Sequence, residues 1–194
     1  MHLALNKLSI EEIITTIQLI PAQDDVLDLS SNDLVTRLSG TELNHTLVNS
    51  GEQIRKVYLA DNELGYMDNP ELITGLKGLK PLVQELSLNN NKFYQKTSEE
   101  MQEVMAALPE GIQHIDLMDN KFETKDTLEL ETILLAAPNS VHTIRISFTK
   151  TIDLIALRNQ HKECELVKHS MFNAKQESQA AEAEEDKANA YQFI

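Results

Sequence analysis

Tryptophan is absent from the 194 residues, and cysteine occurs once, at Cys164. A single thiol rules out any intrachain disulfide, so stability must come from buried apolar surface, and the chain suits a reducing compartment. Basic residues are scarce: 17 Lys and Arg stand against 31 Asp and Glu, a formal charge of −14. Such a chain repels phosphate backbones and anionic lipid surfaces, which argues against nucleic-acid recognition through a basic patch. The same field suits a basic protein partner. No apolar run reaches the roughly 18 residues a membrane span requires, so no membrane insertion is expected. The opening stretch MHLALNKLSIEEIITT has neither a basic segment nor an unbroken apolar one, so no signal peptide is expected. Asn44-His45-Thr46 is a formal glycosylation sequon, but without a secretion signal it reads as an ordinary polar segment.

What the chain does have is a repeat. VLDLSSNDL (Val26 to Leu34), IRKVYLADNEL (Ile54 to Leu64), VQELSLNNNKF (Val83 to Phe93) and IQHIDLMDNKF (Ile112 to Phe122) share the template L-x-x-L-x-L-x-x-N-x-L. The asparagines Asn32, Asn62, Asn91 and Asn120 are spaced by 30, 29 and 29 residues. VHTIRISFTK (Val141 to Lys150) is a further copy with Thr149 in the asparagine place, and LALNKL (Leu3 to Leu8) is a shortened one.

These copies resemble the leucine-rich repeat family, and their long period resembles its ribonuclease-inhibitor-like subclass. The resemblance covers Leu3 to Thr149. It implies an α/β fold: a right-handed solenoid with a parallel sheet on its concave face and helices on its convex face. We read residues 1–171 as one such domain of about five to seven repeats, caps included. Residues 172–194 read as an acidic, Ala/Glu-rich tail.

The physics of the template is direct. A strand–turn–helix unit cannot bury its own apolar face and must stack on its neighbours. The inward pairs are Leu27 and Leu29, Val57 and Leu59, Leu86 and Leu88, Ile115 and Leu117, and Ile144 and Ile146. Each asparagine falls where the chain leaves the sheet and buried backbone groups lose their ladder partners. An amide both donates and accepts, so the asparagines are expected to be a structural ladder. Ser9 to Gln23, Ser98 to Gly111 and Leu128 to Ser140 carry apolar residues at helical spacing, with prolines 21, 109 and 138 closing them. Ser98 reads as a cap. Thr151 to Gln160 reads as a helix, and Lys162 to Ser170 as a last, degenerate strand with Cys164 and Leu166 inward.

The outward side chains differ between copies and are the candidate partner surface. They are Asp28, Tyr58, Ser87, Asp116 and Arg145 between the inward pairs. Asp61, Asn89, Met118, Asp119 and Phe148 lie in the places that follow. Tyr58, Met118 and Phe148 are the candidate anchors, since aromatics and Met are enriched at interface centres. The plainer reading of this row is a solvated sheet face. Asp116 and Asp119 form a carboxylate pair without a neighbouring base, so no catalytic residue is assigned. His114 with His142, and His161 with Cys164 and His169, fall short of a four-ligand zinc set, so neither metal nor cofactor is expected.

Near the C-terminus Glu182, Glu184, Glu185 and Asp186 precede Tyr191, Phe193 and Ile194. This arrangement is similar to the glutamate block and terminal hydrophobic residues of effectors delivered by Dot/Icm type IV secretion systems. The resemblance implies a monomeric, non-enzymatic binding module made in a bacterial cytoplasm and secreted into host cytosol, where it binds a host protein. The plainer reading of the tail is a solubilising segment, and the protein is then a bacterial scaffold that is not secreted. A third reading comes from another relative in this repeat class, the GTPase-activating protein for Ran, which implies a GTPase regulator. The chain's arginines are Arg37, Arg55, Arg145 and Arg158, and none of them matches that role.

Overall fold

The computed structural model describes Leu3, residues 8–147 and the strand 165–168. Six strands form one parallel sheet in chain order: β1 (Val26–Asp28), β2 (Lys56–Tyr58), β3 (Glu85–Ser87), β4 (His114–Asp116), β5 (Thr143–Ile146) and β6 (Glu165–Lys168). The register advances by the repeat period, pairing Leu27 with Val57, Val57 with Leu86, Leu86 with Ile115 and Ile115 with Ile144. Ile144 then pairs with Leu166, so a last strand is present within the stretch Lys162 to Ser170, two residues further along than an inward pair of Cys164 and Leu166 would place it. Cys164, the helix expected over 151–160 and Thr149 lie outside the described residues. The backbone N–H of Leu3 donates to the Asp28 carbonyl at 2.9 Å, which carries the ladder one rung ahead of β1.

The other layer holds α1 (Ile10–Gln18), α2 (Leu34–Arg37), α3 (Gly40–Val48), α4 (Asn69–Leu76), α5 (Ser98–Ala106) and α6 (Thr127–Leu135). Four of these share one start. Ser9, Ser39, Thr97 and Asp126 accept from the N–H three residues on, and Glu12, Glu42, Glu100 and Glu129 accept back from the cap's own N–H. The cap of α5 is therefore Thr97 and not Ser98, because Thr97 stands three residues before Glu100. Ser98 donates instead to Glu129 on the next helix, at 2.8 Å. At α4 Asp68 makes no side-chain cap bond, and Pro70 in the first turn dispenses with a donor that would lack a partner.

The inward residues of β1 to β5 are at most 1% exposed and join one core cluster with Ile13, Ile17, Leu43, Leu72, Met101, Met105, Ile133 and Leu134 from the helices. Asn44 of the sequon lies in α3 and donates to the Thr74 carbonyl of the next repeat at 2.8 Å. Gly40 opens α3 where a Cβ would stand 2.1 Å from the Glu71 carbonyl oxygen, so only glycine lets α3 and α4 approach this closely.

Asn32, Asn62, Asn91 and Asn120 are fully buried. Each side-chain carbonyl from Asn62 onward accepts two backbone N–H groups of the preceding repeat. Asn91 Oδ1 takes those of Asn62 (3.1 Å) and Leu64 (3.2 Å), and Asn120 Oδ1 takes those of Asn91 (2.8 Å) and Phe93 (3.2 Å). Their amides donate to carbonyls of the same two turns, as Asn91 does to Leu59 (2.9 Å) and Asn89 (3.1 Å). The residues on either side of each asparagine are left-handed, with φ between 50° and 61°, and none is glycine. A parallel rail of buried lysines runs beside this ladder. Lys125 Nζ donates to the Lys96 carbonyl at 2.9 Å, and Lys96 Nζ donates to the Met67 carbonyl. Burial pushes the Lys96 ammonium below its ordinary range.

Candidate functional site: the sheet face

Alternation along β1 to β5 sends every second side chain away from the core. Register stacks these into rows. The first row is Val26, Lys56, Glu85, His114 and Thr143, and the second is Asp28, Tyr58, Ser87, Asp116 and Arg145. Ser30, Ala60, Asn89, Met118 and Ser147 form a third, just past the strand ends. The second and third rows are those the repeat template marks. The first was not singled out from the sequence, although it occupies the third place of the same template, two residues before each middle polar residue.

Side chains of the first two rows pair across rungs. Lys56 Nζ lies 3.0 Å from Glu85 Oε2, and the Tyr58 hydroxyl donates to Glu85 Oε1 at 3.0 Å. Burial first, and then this bond to a carboxylate, hold the Tyr58 phenol above its ordinary pKa. The hydrogen bond to Glu85 likewise raises the Lys56 ammonium. Arg145 Nη1 lies 3.3 Å from Asp116 Oδ2, while Asp116 Oδ1 accepts from the Met118 N–H at 3.0 Å. Asp28 Oδ1 accepts from the Ser30 N–H at 3.1 Å in the same way. Asp61 and Asp119 both occupy left-handed turn positions on the exposed rim, where Asp61 accepts from the Asn90 amide and Asp119 Oδ1 from the Ser147 hydroxyl at 3.3 Å. A shallow trough of about 630 Å³ runs across these rows, with Tyr58, Ala60, Asn89 and Asp116 among its lining.

The anchors read from the sequence fare differently. Tyr58 is half-buried and borders the trough. Met118 is only 5% exposed, although it stands outside the core cluster. Its unbranched thioether lies among its neighbours, with the Ser147 hydroxyl 3.7 Å from Sδ, so Met118 offers a partner little surface. Phe148, and Glu182, Glu184, Glu185, Tyr191 and Phe193 of the tail, lie outside the described residues. The described arginines are all engaged: Arg37 donates to the Leu8 carbonyl (2.9 Å), Arg55 to that of Glu52 (2.7 Å), and Arg145 to Asp116. No helix among the described residues is long and apolar enough to cross a membrane.

No protein-family model matches the chain, and no curated protein matches it. Among solved structures, the leucine-rich repeat-containing protein LegL7 from Legionella pneumophila matches with a TM-score of 0.71 and 28% identity, over 76% of this chain and 45% of that one. The chain thus spans less than half the length of that protein. The C-terminal domain of tropomodulin from Caenorhabditis elegans matches with a TM-score of 0.50 and 16% identity, over 80% of this chain and 90% of that one, a likeness of fold alone. The fold of this chain is a leucine-rich-repeat solenoid.

Proposed function

We propose that this leucine-rich-repeat chain is a non-enzymatic protein-binding module, monomeric in solution, whose sheet face holds a basic host protein. In this reading it is a bacterial effector delivered into host cytosol, with Glu182, Glu184, Glu185, Tyr191 and Phe193 acting in delivery. The observation that carries the binding reading is the makeup of the second row. Asp28, Tyr58, Ser87, Asp116 and Arg145 vary in charge and size from rung to rung, while the residues on either side of them are uniformly aliphatic and buried. The fold constrains the inward places and leaves the outward ones to a partner. The carboxylates of Asp28, Asp61, Glu85, Asp116 and Asp119 outnumber the cations of Lys56 and Arg145, which favours a basic partner surface. The likeness to LegL7 and the glutamate-rich tail support the effector reading.

The test is capture from eukaryotic lysate by the intact protein, beside a Tyr58→Ala, Asp61→Ala, Asp116→Ala variant of unchanged circular dichroism. A host protein retained only by the intact form is the expected result. Equal capture by both forms would move the site off the sheet face. Delivery is tested separately, by removing Tyr191 to Ile194 and following translocation of a fused reporter. Undiminished translocation would reject those residues as part of the signal.

A further inference from the structure

Ala60 is the smallest side chain of the third row, between Ser30 on one rung and Asn89 on the next. Backbone bonds fix that neighbourhood, from the Ser31 N–H to the Ala60 carbonyl (2.9 Å) and from the Asp61 N–H to the Asn89 carbonyl (3.1 Å). Tyr58 is two residues earlier and so projects on the same face. Its hydroxyl is held by Glu85, towards the start of the strands, and Glu85 is itself fixed by Lys56 directly opposite in register. The phenol is thereby drawn away from Ala60, and the trough extends over the alanine with Ser30, Tyr58, Asp61 and Asn89 around it.

We infer that the hollow over Ala60 is a socket for one arginine side chain of the basic partner. This deepens the sheet-face reading and rests on it. The charge balance around the hollow decides the chemistry. Asp61 pairs with no cation among the described residues, and its only described side-chain partner is the neutral Asn90 amide. An anionic side chain seated here would face Asp61 as well as Glu85 and Asp116. An apolar one would strip water from the Asp61 carboxylate and return no hydrogen bond. A guanidinium donates to the Asp61 carboxylate and to the Asn89 side-chain carbonyl, and its plane suits the aromatic wall of Tyr58. Its several donors in a planar fork match this mixed set better than the point charge of an ammonium.

The experiment uses isotope-labelled full chain and the peptide acetyl-Gly-Arg-Gly-amide as probe, followed through the amide resonances of Ala60 and Asp61. The control is the same peptide with citrulline, which keeps the shape of arginine without its charge. Saturable shifts with the arginine peptide, and a response at least about tenfold weaker with citrulline, are expected. Asp61→Asn should bring the arginine response down to the citrulline level. Ala60→Leu, which fills the hollow and keeps every charge, should abolish it while the rest of the spectrum stays in place. Equal responses to the two peptides, absence of any shift, or a full response in Ala60→Leu would each overturn the socket. A host partner captured by Ala60→Leu but lost from the triple sheet-face variant would refute the socket and leave the sheet-face reading standing. Capture by both variants would reject that reading itself.

Discussion

Replacing Asn91 by alanine should cost this protein a large part of its stability, and the hydrogen-bond geometry states how much. The Asn91 side chain makes four bonds, but they are not equally costly to lose. The two carbonyls it donates to have other partners: Leu59 also accepts from the Asn62 amide at 3.0 Å, and Asn89 also accepts from the Asp61 N–H at 3.1 Å. The two donors it accepts from, the N–H groups of Asn62 and Leu64, are buried and have no other described partner. Each orphaned buried donor costs about 1–3 kcal/mol, so Asn91→Ala should cost roughly 2–6 kcal/mol. A domain of this kind has only about 5–15 kcal/mol in total. Asn91→Asp refines the test because it keeps the acceptor. An ionised carboxylate here would keep the two N–H donors but would be fully buried and face the Leu59 and Asn89 carbonyls. With burial and the two carbonyls outweighing the donors, its folded pKa should rise above the unfolded value of about 3.9. With a raised folded pKa, its stabilising share is present below about pH 3.9 and is lost as pH rises through the folded value. Urea unfolding followed by circular dichroism measures both variants. A fall in the urea slope would additionally report that the stack now breaks at the third repeat instead of unfolding as one unit. If Asn91→Ala stays within about 1 kcal/mol of the parent, the orphaned-donor account is wrong. If Asn91→Asp tracks the alanine variant at every pH, the assignment of roles within the amide is wrong.

Two further outcomes follow from the packing and from the sheet face. Gly40→Ala sets a Cβ 2.1 Å from the Glu71 carbonyl oxygen and 2.7 Å from its carbon, both backbone atoms that cannot step aside, so α3 and α4 must part at about 1–3 kcal/mol. Gly75→Ala meets only side-chain atoms of the buried Leu43, Cδ2 at 2.7 Å and Cγ at 3.0 Å, and no backbone, so it should lower the melting temperature less; the reverse order in thermal melts would contradict this packing. Tyr58 should ionise above the ordinary tyrosine value of about 10, because burial and the bond to Glu85 both raise it. The stabilisation tied to that proton is complete below about pH 10 and is lost as pH rises through the folded value. Subtracting the phenolate absorbance titration of Tyr58→Phe from that of the parent isolates the group, and a difference curve centred at or below the ordinary value would refute the environment described for it.

Much of the fold was legible in the residues because each repeat states the same local problem and solves it the same way. The apolar pairs mark the inward side of every strand, and the asparagines mark where the ladder ends. Ser9 with Glu12, Ser39 with Glu42, Thr97 with Glu100 and Asp126 with Glu129 carry their helix starts in four-residue windows. Ser98 begins the helical spacing and yet is not the cap, because the box is set by the threonine before it. The left-handed turns escaped sequence reasoning because glycine, their usual marker, is absent from all eight positions. At these turns the buried asparagine and the stacked neighbours hold Ser31, Asp33, Asp61, Glu63, Asn90, Lys92, Asp119 and Lys121 in place.

The candidate site divides along the same line. The amino-acid sequence alone determined which places lie on the outer side of the sheet, through a period of two in the strand and a repeat of 29 or 30 residues in the chain. Only the tertiary structure decided what those residues do to one another. It paired Glu85 with both Lys56 and Tyr58, buried Met118 beside Ser147, turned Lys96 and Lys125 into internal donors, and opened the hollow over Ala60. The physical reason is range. Periodicity acts within one repeat and repeats itself, whereas each of these contacts joins side chains on different repeats whose lengths and charges are not periodic.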